Sequence, residues 1–329
     1  MANYFTNRGV SGMSKVLTEA QVQHFKEKGW VKVEGAYPRE EALKVQDFLW
    51  GELAKRGIHK EDKSSWTEPV VRLGNYVDPI MDGLNSERLT GAIEDLLGEG
   101  RWQEGKMMQG AMWGGYIINF GPEIPGGWHY DGSHFRHYLD SWEQGLLLVC
   151  LFSSVKKGGS GTLVAEGSHH IVSKVLAQHP EGMGLGEALR ECGKHPWLSE
   201  LIGKKQSASD DIYADSPEQD KREQEKLSKK EHLAKFMDNT YEDPEGYSLR
   251  VVETTGEPGD LVLCHPFLYH APSANELGIP RFMCNRVAPT HERMNFNREN
   301  PADYSVVEQM IREALGLKDG ERCEWARVE

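Results

Sequence analysis

The sequence predicts a mainly β fold: a double-layered antiparallel barrel with helices beside it. Three observations predict it. Short apolar runs punctuated by Gly and Pro fill the chain from about Met107 onward. Helix-like segments with recognisable start and stop signals precede them. The residues with metal-binding chemistry, at 129–131 and at 270, lie in different halves of the chain, so one core has to be assembled from both.

The elements follow in order. Residues 1–16 read as a loose tail. Thr18 with Gln21 forms a capping-box pattern at the start of a helix that Gly29 ends. Trp30–Val33 alternates as a half-buried strand does. Pro38 precedes a second helix, 39–56, with Ala42, Val45, Phe48, Leu49 and Leu53 on one side, and a third is expected over 86–97. The β texture then brings an apolar stretch over 112–120 that contains Gly114 and Gly115. A continuous buried strand follows at 145–155, then a glycine turn at 158–161 and a strand at 162–165. Further strands are expected at 248–253, 260–264 and 282–287.

Between these two groups of strands lies a charged stretch, about 174–246, read as a helical insertion in a single domain that spans 17–329. Ser216-Pro217-Glu218 is a strong helix start. Leu227, Leu233, Ala234, Phe236 and Met237 offer a narrow apolar contact on an otherwise charged helix. Such a helix packs on the barrel, and long excursions also serve as lids or as homodimer contacts.

The 329 residues carry a formal net charge of −13, which argues against binding to nucleic acid or to anionic membranes. Five cysteines (Cys150, Cys192, Cys264, Cys284 and Cys323) contain no C-x-x-C pair, which suits reduced thiols and a cytoplasmic protein. The first residues lack the apolar stretch of a signal peptide, and the longest apolar run, 145–155, suits a buried strand rather than a membrane span.

The chemistry concentrates in His129, Asp131, His270 and Arg281. Residues i and i+2 of a strand share a face, so His129 and Asp131 in Gly126-Gly127-Trp128-His129-Tyr130-Asp131-Gly132 can approach one ion together. His270, closing the apolar run that starts at Leu261, is the third candidate. Two imidazoles and one carboxylate leave other coordination positions open, as in non-heme Fe(II) oxygenases. Arg281 follows after room for a turn, and its planar guanidinium can grip a carboxylate through two parallel hydrogen bonds. The His-x-Asp/Glu pattern alone is weak: His59-Lys60-Glu61 and His179-Pro180-Glu181 also match it, without strand context. His265 rivals His270 as a ligand, and Arg286 rivals Arg281.

With these residues the sequence resembles the phytanoyl-CoA dioxygenase-like family of Fe(II)/2-oxoglutarate-dependent oxygenases. The likeness covers most of the chain. It is carried by the helix and strand over 17–33, by Gly158-Gly159-Ser160-Gly161 with Gly167-Ser168-His169, and most specifically by Pro258-Gly259-Asp260, His265-Pro266, His270 and Arg281. The resemblance implies a double-stranded β-helix, a jelly-roll or cupin-like barrel, here with a helical insertion. It implies Fe(II) held by His129, Asp131 and His270, 2-oxoglutarate held by Arg281, and O2 as the second co-substrate. Related halogenases replace the carboxylate ligand by a small residue, so Asp131 disfavours halogenation. Two features depart from the pattern. The separation of Asp131 from His270 exceeds that of the simplest members, and Met283 stands two residues after Arg281, where many relatives place Ser.

The expected reaction is oxidation of a C–H bond in a small organic substrate, usually hydroxylation, with desaturation or ring closure open. His134 and Arg136, with His137 and Tyr138 after them, could face an anionic substrate, and Trp128 and Trp113 could wall its pocket. The same residues could instead cap loops or pair with Asp140 and Glu143. Two further readings stay open: an iron oxidase whose substrate carboxylate binds directly without 2-oxoglutarate, and a barrel that only binds small molecules. Zinc hydrolysis is disfavoured because the helical His-Glu-x-x-His arrangement is missing.

Overall fold

The computed structural model describes residues 16–104, 113–122, 127–203 and 219–328, with side chains on the helix that begins at Gln219 described from residue 229. The expected tail over 1–15, Met107, Met112, the helix start Ser216-Pro217-Glu218 and the Leu227 side chain lie outside the described residues.

The N-terminal elements form where their local signals place them. Helix α1 (Glu19–Lys28) starts at a complete Thr18–Gln21 capping box and stops at Gly29, whose φ of 82° is the left-handed conformation that favours glycine. Strand β1 (Trp30–Val33) follows at once. Helix α2 (Arg39–Ala54) buries Ala42, Val45, Leu49, Trp50 and Leu53 on one face. Helix α3 (Glu87–Leu97) starts at Ser86, whose hydroxyl accepts a hydrogen bond from the Leu89 N–H.

Among the described residues, ten strands build two antiparallel sheets. After β1 come β2 (Val70–Arg72), β3 (Tyr116–Asn119), β4 (Leu147–Leu151), β5 (Leu163–Glu166), β6 (Tyr241–Glu242), β7 (Ser248–Glu253), β8 (Leu261–Cys264), β9 (His270–Ala271) and β10 (Arg281–Val287). The larger sheet has the order β1-β8-β4-β10-β3-β2 and the smaller β6-β7-β5-β9, the two layers of a jelly-roll barrel. Alternation sorts their side chains. Leu147, Val149, Leu151, Val164, Val262, Cys264, Leu268 and Met283 meet between the sheets. Leu148, Cys150, Leu263, Phe282 and Cys284 turn outward into the core shared with the helices.

The helices between β5 and β6 begin before the charged stretch at 174–246. Helix α4 (Ser168–Ala177) grows directly out of β5, and α5 (Leu185–Cys192), α6 (Pro196–Ile202) and α7 (Gln219–Asp238) follow it. The end of α7 packs on β7, and Phe236 meets Trp197 edge-on at 5.4 Å between ring centroids. The end of α7 therefore backs the smaller sheet. Strands β2 and β6 had no sequence counterpart because each is too short to show a period.

Among the described residues no helix is long and apolar enough to cross a membrane. All five cysteines are buried free thiols. The core also holds histidines kept neutral by burial, which lowers His137 to about 4, His265 to about 3 and His169 well below the ordinary imidazole value. Below an unfolded value of about 6.5, the unfolded chain binds protons that the folded chain refuses. Stability is therefore full above that pH and falls as pH drops toward about 4, by up to about 1.4 kcal/mol per pH unit for each histidine. Guanidinium melts at a series of pH values should show the midpoint falling through this window. A midpoint that holds steady there would contradict the assignment of these rings as neutral.

Candidate metal centre

The segment carrying His129 lies against β9. His129 N–H donates to the His270 carbonyl at 3.0 Å, and His270 N–H donates back to the His129 carbonyl at 2.7 Å. This exchange sets the two residues directly opposite each other with side chains on one face, their ring centroids 4.6 Å apart. Asp131, two residues on, turns the same way.

Each ring is then oriented by its own backbone. His129 Nδ1 donates to the Gly127 carbonyl at 2.7 Å, and His270 Nδ1 donates to the Leu268 carbonyl at 3.1 Å. Both Nε2 atoms are left pointing at one oxygen, with Asp131 Oδ1 at 3.5 Å from His129 Nε2 and 3.6 Å from His270 Nε2. The three donor atoms lie within 4.8 Å of one another. Tying Nδ1 to a carbonyl fixes the tautomer that presents Nε2 as a ligand. His270 Nε2 is also buried with no hydrogen-bond partner.

Electrostatics favours an ionised ligand. Burial alone would raise the Asp131 carboxyl, but the His270 and His129 imidazoles outweigh it and hold the group well below the usual carboxylate range. For His270, burial acts downward, while the Asp131 charge carries the ring above its ordinary value. Asp131 keeps 28% of its side chain exposed, so the cluster is reachable from one side.

Arg281 opens β10 on the inner face that also carries Met283. It is buried, and its Nε has no partner. Burial, reinforced by the neighbouring Arg72 charge and opposed by Glu253, brings its guanidinium down to about 10. Glu253 is itself occupied, accepting from the Gly158 and Gly161 N–H groups. An ionised carboxylate, two oriented imidazole nitrogens and an orphaned guanidinium nitrogen fit a divalent metal together with an anionic chelating acid.

The rivals are placed elsewhere. Arg286 turns outward from β10, with its guanidinium 3.9 Å from the Trp113 ring centroid. His265 Nδ1 accepts from the Phe267 N–H, and its ring packs beside His169, away from the three-donor cluster. His179 and Glu181 pair with each other on the surface, and His59 belongs to an exposed loop.

Two expected substrate residues require correction. Trp113 does not wall a pocket between the sheets. It is buried in the outer core, hydrogen-bonded to Asn85 and packed on Tyr37 and Phe152. Arg136 is committed to the insertion, where it donates to the Glu181 and Gly182 carbonyls. His137 is committed likewise, exchanging backbone hydrogen bonds with Met183. Trp128 is partly buried against the outer core, as its alternation with His129 requires. His134 is exposed, its ring against Phe135.

Two inner-face residues escaped the sequence reading. Asn285 shares the face of Arg281 and Met283, and its Oδ1 is buried without a partner. Arg72 reaches that face from β2. Alternation along β10 could have flagged the first; the second sits on a strand too short to read.

No family model and no curated relative matches the chain. Among solved structures it is similar to EctD from S. alaskensis with 2-oxoglutarate and 5-hydroxyectoine, at 15% identity and a TM-score of 0.46 over 98% of this chain and 90% of that one. It is also similar to HygX from Streptomyces hygroscopicus with nickel and 2-oxoglutarate bound, at 12% identity and 0.45 over 84% and 88%. The third is the non-heme alpha ketoglutarate dependent carbocyclase SnoK from nogalamycin biosynthesis, at 13% and 0.46 over 95% and 97%. At these values the likeness is one of outline, and the chemistry below rests on the residues of this chain.

Proposed function

We propose that the protein is a non-heme Fe(II)- and 2-oxoglutarate-dependent dioxygenase of the phytanoyl-CoA dioxygenase-like kind. It would hydroxylate a C–H bond of a small organic substrate and release succinate and CO2. The observation that carries this reading is the convergence of His129 Nε2, His270 Nε2 and Asp131 Oδ1, each ring held by its own backbone carbonyl.

In this reading His129, Asp131 and His270 hold the iron, which supplies the oxidation of 2-oxoglutarate and substrate by O2. The protein residues supply order and charge. Asp131 offsets part of the metal charge and leaves a net positive site for an anionic chelator. Arg281 receives the far carboxylate of 2-oxoglutarate through its fork of N–H donors. Leu147, Val149, Val164, Val262 and Met283 keep water from the space between the sheets. Exposed His134, in the loop after Asp131, is a candidate for contact with substrate.

The test is succinate release. Purified protein supplied with Fe(II), ascorbate, O2 and 2-oxoglutarate should form succinate, slowly without substrate and faster with one, and His270→Ala should form none. Succinate formation that is absent from the wild type across a broad metabolite panel, or that survives His270→Ala, would contradict the reading.

A further inference from the structure

Arg281 lies on the inner face of β10, buried and with its Nε unpartnered. The next residue on the same face, Met283, brings a thioether and no hydrogen-bond donor. Strand β3 links β10 to β2: Arg281 stands opposite Asn119, which stands opposite Val70, while Met283 stands opposite Ile117, which stands opposite Arg72. Directly opposed residues of antiparallel strands share a face. Val71, between them, turns into the outer core, so Arg72 turns to the inner side with Ile117 and Met283. With strands about 4.8 Å apart and a rise of about 3.4 Å per residue, the Arg72 and Arg281 backbones are roughly 12 Å apart, a span that two extended arginine side chains bridge. Their charges are felt accordingly, since Arg72 pushes the Arg281 guanidinium down and Glu253 pushes it up. Arg72 differs from Arg281 in being exposed, on the edge strand of the larger sheet.

We propose that Arg72 is a second anchor for the co-substrate, and that it binds the distal carboxylate of 2-oxoglutarate together with Arg281, in the place that Met283 leaves without a donor. The inference rests on the 2-oxoglutarate reading above. Arg281 takes the carboxylate from the buried side through its orphaned Nε edge, and Arg72 takes it from the solvent side. Two guanidinium groups on one carboxylate would make the site selective for a dianionic oxoacid over its monoanionic analogues.

The test is anaerobic calorimetry on Fe(II)-loaded protein with two probes, 2-oxoglutarate and 2-oxovalerate, which carries a methyl group where 2-oxoglutarate has its distal carboxylate. Arg72→Gln should weaken 2-oxoglutarate about tenfold, the worth of one charge-assisted hydrogen bond. It should leave 2-oxovalerate within about twofold of the wild type, and Arg72→Lys should fall between wild type and Arg72→Gln. Equal affinity of wild type and Arg72→Gln for 2-oxoglutarate overturns the proposal and leaves the function standing. Equal loss of both oxoacids overturns it as well, marking a structural role for Arg72. A wild type that binds neither oxoacid overturns the 2-oxoglutarate reading itself.

Discussion

Asp131→Ala is expected to lower Fe(II) affinity by more than about a hundredfold, because even the outer-shell partners of metal ligands are worth about 10–100-fold. Two imidazoles would remain, but the anionic donor that both Nε2 atoms face would be gone. The carboxylate is held ionised by those rings, so its loss also removes the charge that keeps His270 raised. Equilibrium dialysis under argon with Fe(II), repeated with Co(II) or Ni(II), measures the change. Because Asp131 lies on the accessible side of the cluster, the metal-free variant should keep the wild-type circular dichroism spectrum. Metal affinity that survives the substitution would remove Asp131 from the ligand set.

Arg281→Ala should leave metal affinity close to wild type and weaken 2-oxoglutarate by roughly two orders of magnitude. A bidentate guanidinium–carboxylate pair makes two charge-assisted hydrogen bonds, each worth about 1.5–3 kcal/mol, so about 3 kcal/mol or more is lost. Arg281→Lys keeps the charge but not the planar fork, and its affinity should fall between the two. Calorimetric titration of the Fe(II)-loaded variants separates these outcomes. Unchanged 2-oxoglutarate binding in Arg281→Ala would favour a site in which Arg281 serves the substrate instead.

The parts of the molecule legible in the sequence are those written in local periodicity and caps. Thr18 with Gln21 and Gly29 bounds α1, and the apolar run around Cys150 is a central strand. The His-x-Asp spacing becomes informative only beside β9, where the His129–His270 backbone exchange turns a two-residue motif into a three-donor cluster. Arg281 could be separated from Arg286 only by knowing which face of β10 looks inward, a fact of sheet packing and not of spacing. Trp113 and Arg136 were misread for one reason: an aromatic or cationic side chain near a site in sequence can be claimed by a neighbour far away. Here the claimants are Arg286 and the 181–182 carbonyls. The stretch after β5 was visible as charge, whereas its first helix, α4, was hidden because it begins one residue past the strand, after Gly167, before the charged segment.

The central claim is that one cluster binds iron and presents it to 2-oxoglutarate. Anaerobic optical titration of the protein with Fe(II), alone and then with 2-oxoglutarate, tests it most directly. The predicted result is a weak visible charge-transfer band that appears only when both are present and is lost in Asp131→Ala and, at the same oxoacid concentration, in Arg281→Ala. No band in the wild type with both components saturating, or an undiminished band in Asp131→Ala, would contradict it.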